Sequence, residues 1–140
     1  MLHVHHIGYL IKNIERARDA FSTLGFQVEQ DVVYDHDRDI DILFMKNAEE
    51  YRIELVMPKS DSSVVSRMAK TYKNTPYHIC YASDSFDQDI EFLNRSGFTQ
   101  IGNPAPAPAL GNCQVCFFMS SHVGLVEIAD FTPALAEDIF

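Results

Sequence analysis

The chain repeats itself. His6 opens the segment VHHIGYLIKNIERARDAFSTLGF and His78 opens YHICYASDSFDQDIEFLNRSGF, and each histidine lies 19 residues before the glycine of a Gly-Phe pair, Gly25-Phe26 and Gly97-Phe98. Farther on, Ile53-Glu54-Leu55 and Val126-Glu127-Ile128 set a carboxylate inside an apolar run, 48 residues after His6 and 49 after His78. A duplication of this kind demands two copies of one supersecondary unit. It also asks each copy to bury an imidazole and a carboxylate, which is costly unless the groups are paired or coordinated. Four such groups, without thiolate, suit a divalent ion of the nickel, cobalt, manganese, magnesium or zinc kind, with open positions for water or substrate.

The pattern of each copy reads strand, helix, then three strands. In the first, residues 2–10 read as a strand, and Ile14, Ala17, Phe21 and Leu24 fall at helical spacing before Gly25 stops the helix. Strand-like runs follow at about 26–34, 40–46 and 51–57. Module one is thus βαβββ over 1–58. Residues 59–75 form a polar linker with a short helix, capped by Asp61 or Ser62 and showing Val64, Val65, Met68 and Tyr72 on one face. Module two, 76–131, restarts with strand 77–83. A helix follows, for which Ser85 and Gln88 suggest a capping box and Phe86, Ile90 and Leu93 a buried stripe. Strand 98–102, a proline-rich surface loop over Asn103–Gly111, and strands 113–120 and 123–129 complete it. The tail, 132–140, reads as a weak terminal helix or a frayed end. The fold class expected is α+β, with two tandem βαβββ modules making a cupped mixed sheet around a metal site in a single domain of 140 residues.

Alternation selects His6 over His5. In a strand His6, Gly8 and Leu10 share one face while His3, His5, Ile7 and Tyr9 share the other. Aligning HHIGY with YHICY matches His6 to His78 and His5 to Tyr77. The candidate metal ligands are therefore His6, Glu54, His78 and Glu127. Other suggestive residues fare less well. Cys113-x-x-Cys116 lies in an expected strand, where residues three apart point to opposite faces. Asp35, Asp37, Asp39 and Asp41 resemble a calcium loop, but Ile40 and Lys46 stand where such a loop needs glycine and glutamate. His3, His5, His36 and His122 have no counterpart in the repeat.

Composition narrows the partners. A formal charge of −9 with only 11 basic residues argues against a nucleic-acid footprint. Three cysteines, no secretory leader and no long apolar run point to a cytoplasmic chain without membrane association.

Over residues 2–131 the chain resembles the vicinal-oxygen-chelate superfamily, whose branches include lactoylglutathione lyase, methylmalonyl-CoA epimerase, extradiol dioxygenases and drug-resistance proteins. HHIGYLIKNIERARDAF, RIELVMP and GLVEI are similar to the epimerase and lyase branches. The resemblance implies paired βαβββ modules around a divalent ion, with His6, Glu54, His78 and Glu127 at the ligand positions. It further implies a metal-dependent isomerase or lyase that moves a proton beside a carbonyl through an enolate or enediolate, with Glu127 as ligand and base and Glu54 as the second choice. The rival readings are a binding protein of the resistance type and an iron-dependent dioxygenase using His6, His78 and Glu127. Two departures separate the chain from the epimerases. Tyr77-His78 replaces a doubled histidine, and no clear counterpart of their second acid appears. A small-molecule substrate and a homodimer complete the expectation.

Overall fold

The structure is a computed structural model, and it describes residues 2–132; the expected tail helix lies outside the described residues but for its start. Among the described residues, eight strands in mixed pairing and three α-helices follow in the order of the repeat. The first βαβββ module comprises β1 (Leu2–Leu10), α1 (Ile14–Thr23), β2 (Gln27–Asp35), β3 (Ile40–Lys46) and β4 (Arg52–Pro58). Helix α2 (Ser66–Tyr72) follows, and then the second module: β5 (Thr75–Ser83), α3 (Phe86–Arg95), β6 (Thr99–Ala107), β7 (Cys113–Ser120) and β8 (Gly124–Asp130).

Two compact units result. One is His6–Tyr77; the other joins the start of the chain, through His5, to the segment from His78 onward. In the first the strand order is β2-β3-β4-β1, with β1 parallel to β4 and the other neighbours antiparallel. In the second the order is β6-β7-β8-β5, with β5 parallel to β8. A parallel pair needs a crossover, and the intervening helix and hairpin supply it.

Each unit packs its helix on one sheet face. Ile14, Ala17 and Phe21 of α1 meet Leu43, Met45, Ile53 and Leu55. Phe86, Ile90 and Leu93 of α3 meet Cys116, Phe118, Val126 and Ile128. Both cores use every second residue of their strands, so Glu54 and Glu127, between core residues, turn to the opposite face.

Helix ends explain several boundaries. Asn13 caps α1, its Oδ1 accepting from the Arg16 amide at 2.9 Å. Gly25 then takes φ 95°, and the amides of Gly25 and Phe26 satisfy the last carbonyls, those of Ser22 and Phe21. Leu24, expected on the apolar face, is 70% exposed, and Phe26 joins the core in its place.

The capping box expected at α3 is not formed. Ser83, fully buried, accepts from the Ser85 amide and donates to Asp89 at 2.6 Å, while the Ser85 hydroxyl reaches only Asp84. In the linker neither Asp61 nor Ser62 caps α2. Val65 stands at that position without a side-chain bond, and Asp61 instead pairs with Lys70 at 2.7 Å. Val65 and Ala69 are its buried residues, whereas Val64 and Tyr72 are exposed.

The proline-rich segment also differs from expectation, for it is strand rather than loop. After an irregularity between Ile101 and Ala105, β6 resumes pairing with β7 through Ala105, Pro106 and Ala107. As an edge strand of its unit it has no neighbour on one side, so prolines without amide hydrogens are tolerated there. A short 3₁₀ turn, Pro108–Leu110, ends it at Gly111, whose φ is 63°.

Candidate functional site: two matched histidine–glutamate pairs

On the faces away from the helices the two units present the same constellation. In the first, Gly8 of β1 stands opposite Glu54 of β4, and His6 lies two residues back on the same face. His6 Nε2 comes to 3.5 Å from Glu54 Oε1. In the second, Cys80 of β5 stands opposite Glu127 of β8, with His78 two residues back. His78 Nε2 comes to 3.2 Å from Glu127 Oε1. All four are buried: His6 is 1% exposed, His78 4%, and each glutamate 6%.

The match extends to a residue that periodicity did not single out. Phe44 on β3 is the ladder partner of Glu54, and its ring meets the His6 imidazole edge-on, centroids 5.0 Å apart at 78°. Phe117 on β7 is the ladder partner of Glu127 and meets His78 in the same way, 5.5 Å apart at 84°. The signal was present in the chain, since each phenylalanine precedes its glutamate by 10 residues. Edge-on contact limits ring rotation and fixes where the imidazole nitrogens point.

His5 is placed differently. Its ring lies 4.9 Å from that of Phe131. Cys113 and Cys116 do face opposite ways. Cys116 belongs to the α3 core, whereas Ala107, opposite Cys113 in the ladder, lies away from it. Burial, followed by the charges of Glu127 and Asp130, pushes the Cys113 thiol up to about 12, which makes it inert at neutral pH. The three cysteines form no disulfide.

Asp35 is 1% exposed and closes a turn, accepting from the Arg38 amide at 3.1 Å and its guanidinium at 2.6 Å. It therefore serves the β2–β3 hairpin. His36 and Asp37 at the tip of that hairpin are exposed. Among the described residues no helix is long and apolar enough to cross a membrane.

The donor set fits a divalent ion chemically. Each unit offers an imidazole nitrogen and a carboxylate oxygen on adjacent strands, held by backbone ladders rather than loops, and no hard-cation cage of many oxygens is present among the four.

Comparison with known proteins places the chain. No curated protein matches its sequence. A solved hypothetical protein from Bacillus halodurans C-125 is 21% identical and superimposes with a TM-score of 0.82, covering 92% of this chain and 94% of its own. Methylmalonyl-CoA epimerase from Mycobacterium tuberculosis is 17% identical, with a TM-score of 0.82 and coverage of 96% and 91%. A Streptomyces coelicolor methylmalonyl-CoA epimerase in complex with 2-nitronate-propionyl-CoA is 16% identical, with a TM-score of 0.77 and coverage of 91% and 95%. These likenesses give the glyoxalase-like α+β fold. The model of the glyoxalase/bleomycin resistance protein/dioxygenase superfamily matches residues 5–117, and the chain belongs to that family.

Proposed function

We propose that the protein is a metal-dependent enzyme that moves a proton at a carbon beside a carbonyl, in the manner of an epimerase acting on an acyl thioester. The observation that carries this reading is the twofold occurrence of a buried histidine–glutamate pair braced by a phenylalanine. A resistance-type binding cup has no need of four buried ionisable groups, whose burial is unfavourable without a charge to meet.

In this reading His6 and Glu54 in the one unit, and His78 and Glu127 in the other, are the residues that would hold a divalent metal. When bound, the ion supplies Lewis acidity toward carbonyl oxygens and lowers the cost of placing negative charge there. The side chains of the protein do the rest. The two imidazoles are held by ring contacts with Phe44 and Phe117, so the donor nitrogens are preorganised and need no reorganisation during the reaction. Glu127 takes the proton from the carbon and returns it, with Glu54 as the second candidate for that role. Ile40, Ile42 and Val56, on the same face as Glu54, are buried and apolar and would keep water from the carbanionic carbon.

The experiment is proton exchange. The metal-loaded protein is incubated with methylmalonyl-CoA in deuterated water, beside a chelated sample and a Glu127→Gln variant. Deuterium entering at the carbon beside the thioester, only in the loaded parent protein, supports the reading. Equal exchange in all three samples sinks it. A thiol hemiacetal of the lactoylglutathione type is the alternative substrate, run in parallel with the same three proteins.

A further inference from the structure

The second unit holds a histidine and a cysteine that the duplication does not account for. In the alignment of HHIGY with YHICY, Cys80 stands where the first copy has Gly8, and His5 where the second has Tyr77. The start of β1, through His5, belongs to the same compact unit as β5, which carries Cys80. Leu2 packs on the α3 core, so His5, three residues on, turns to the other face of the sheet. Cys80 is the ladder partner of Glu127 and turns the same way. The ligating atoms of His5 and Cys80 lie within 4.8 Å of each other.

We propose that His5 and Cys80 form a site for a thiophilic, low-coordinate cation of the cuprous kind, distinct in its donors from the histidine–glutamate pairs. Thiolate is a soft donor and selects soft ions, whereas imidazole with carboxylate suits the borderline and hard divalent ones. Metal bonds of about 2.3 Å to sulfur and about 2.0 Å to nitrogen span about 4.3 Å when collinear, so the separation of the donors fits an ion held between them.

On binding, the Cys80 S–H proton leaves to solvent and a sulfur–metal bond takes its place, while His5 gives a lone pair from a neutral ring. Charge is therefore unchanged when the ion is monovalent. With these two ligands a divalent ion would bury a net positive charge, which is costly where Cys80 is 0% exposed. His5, at 9% exposed, is the ligand that an arriving ion meets first, and its ring is braced by that of Phe131, 4.9 Å away. The other two thiols are less suited. Cys116 belongs to the α3 core on the opposite face, and the Cys113 thiol, pushed up to about 12, resists becoming a thiolate.

The test loads the reduced full chain with one equivalent of cuprous ion under nitrogen, in competition with a chromogenic cuprous chelator. The parent protein should hold one equivalent. Cys80→Ala and His5→Gln should each weaken retention at least tenfold, and Cys113→Ser and Cys116→Ser should keep it within twofold, with thermal unfolding followed on every variant. X-ray absorption of the copper-loaded parent needs no variant and should find one sulfur and one nitrogen around copper. Two sulfurs, no sulfur, no retention by the parent, or equal retention by Cys80→Ala each overturns the proposal. Manganese titration of the same proteins reads the histidine–glutamate donors separately. Cys80→Ala should leave that affinity within twofold, and a tenfold loss would make Cys80 a ligand of that ion and overturn a distinct site.

Discussion

Phe44 meets the imidazole of His6 edge-on, and on the other side of the duplication Phe117 does the same to His78. The two contacts are not equal in burial. Phe44 is fully buried, whereas Phe117 is half-buried. Truncating Phe44 to alanine should cost about 3–5 kcal/mol of stability. Phe117→Ala should cost less, yet loosen the His78 ring and weaken metal affinity. Denaturant unfolding combined with metal titration checks the pair, and a Phe117→Ala protein with unaltered metal affinity would show that the ring contact does not position the histidine.

Removing a donor should separate site from fold. His78→Ala is expected to lower metal affinity at least tenfold, because one imidazole is lost from a small donor set. The helix-side core of its unit contains neither His78 nor Glu127, so the protein should remain folded. Metal content after dialysis, read beside circular dichroism, decides the matter; full stoichiometry in the variant would contradict the ligand assignment.

Glu127→Gln keeps shape and removes the charge. Proton exchange should fall by roughly 10²–10⁴-fold, the usual contribution of a positioned base. The corresponding change at Glu54 should affect metal affinity more than the exchange rate of whatever metal-loaded protein remains. If Glu54→Gln is the more damaging for exchange at saturating metal, the two glutamates trade roles.

Acid sensitivity should trace partly to Glu29. Burial raises its carboxyl, but hydrogen bonds from Arg52 and Lys46 and their positive charges outweigh that, so the group is held below the ordinary carboxylate range. A depressed carboxyl contributes stability that is fully present above its unfolded pKa of about 4.5 and is lost as pH falls through the folded value. Glu29→Gln should therefore destabilise at neutral pH, by about 1–2 kcal/mol for a charged hydrogen bond, and flatten the acid limb of the stability curve. Unfolding midpoints at pH 7 and pH 3.5 measure both effects.

The edge strand β2 exposes Val28, Val32 and Tyr34, and a bare edge invites pairing with another copy. A homodimer is expected at micromolar concentration, and Val32→Lys should shift it toward monomer. Sedimentation finding only monomer in the parent protein removes this expectation.

How far the chain could be read in advance follows from which signals are doubled. Two βαβββ modules and the facing of Glu54 and Glu127 were legible because each feature occurs twice, and alternation fixed the phase in both copies. Single signals misled. Pro104 and Pro106 suggested a loop because the edge position that tolerates them is a property of the sheet, invisible in local sequence. Ser85 looked like a cap, but Ser83 sits closer to Asp89 in three dimensions and took the amide. Phe44 and Phe117 carry no distinct local signal, since an aromatic residue in a strand reads as ordinary core.

The chain passes from one compact unit to the other at the peptide between His5 and His6, midway along its first strand. Leu2 packs on the α3 core and His5 on Phe131, partners that emerge from the ribosome more than 80 residues later. The first module can close its own core early in synthesis, while its leading residues wait for the second to be made. The sequence bears the mark of doubling, yet one compact unit takes in the start of the first copy together with the second. Cutting it between the repeats would leave the second half without the strand end that finishes it, so the two copies are bound to be inherited, and to evolve, as one.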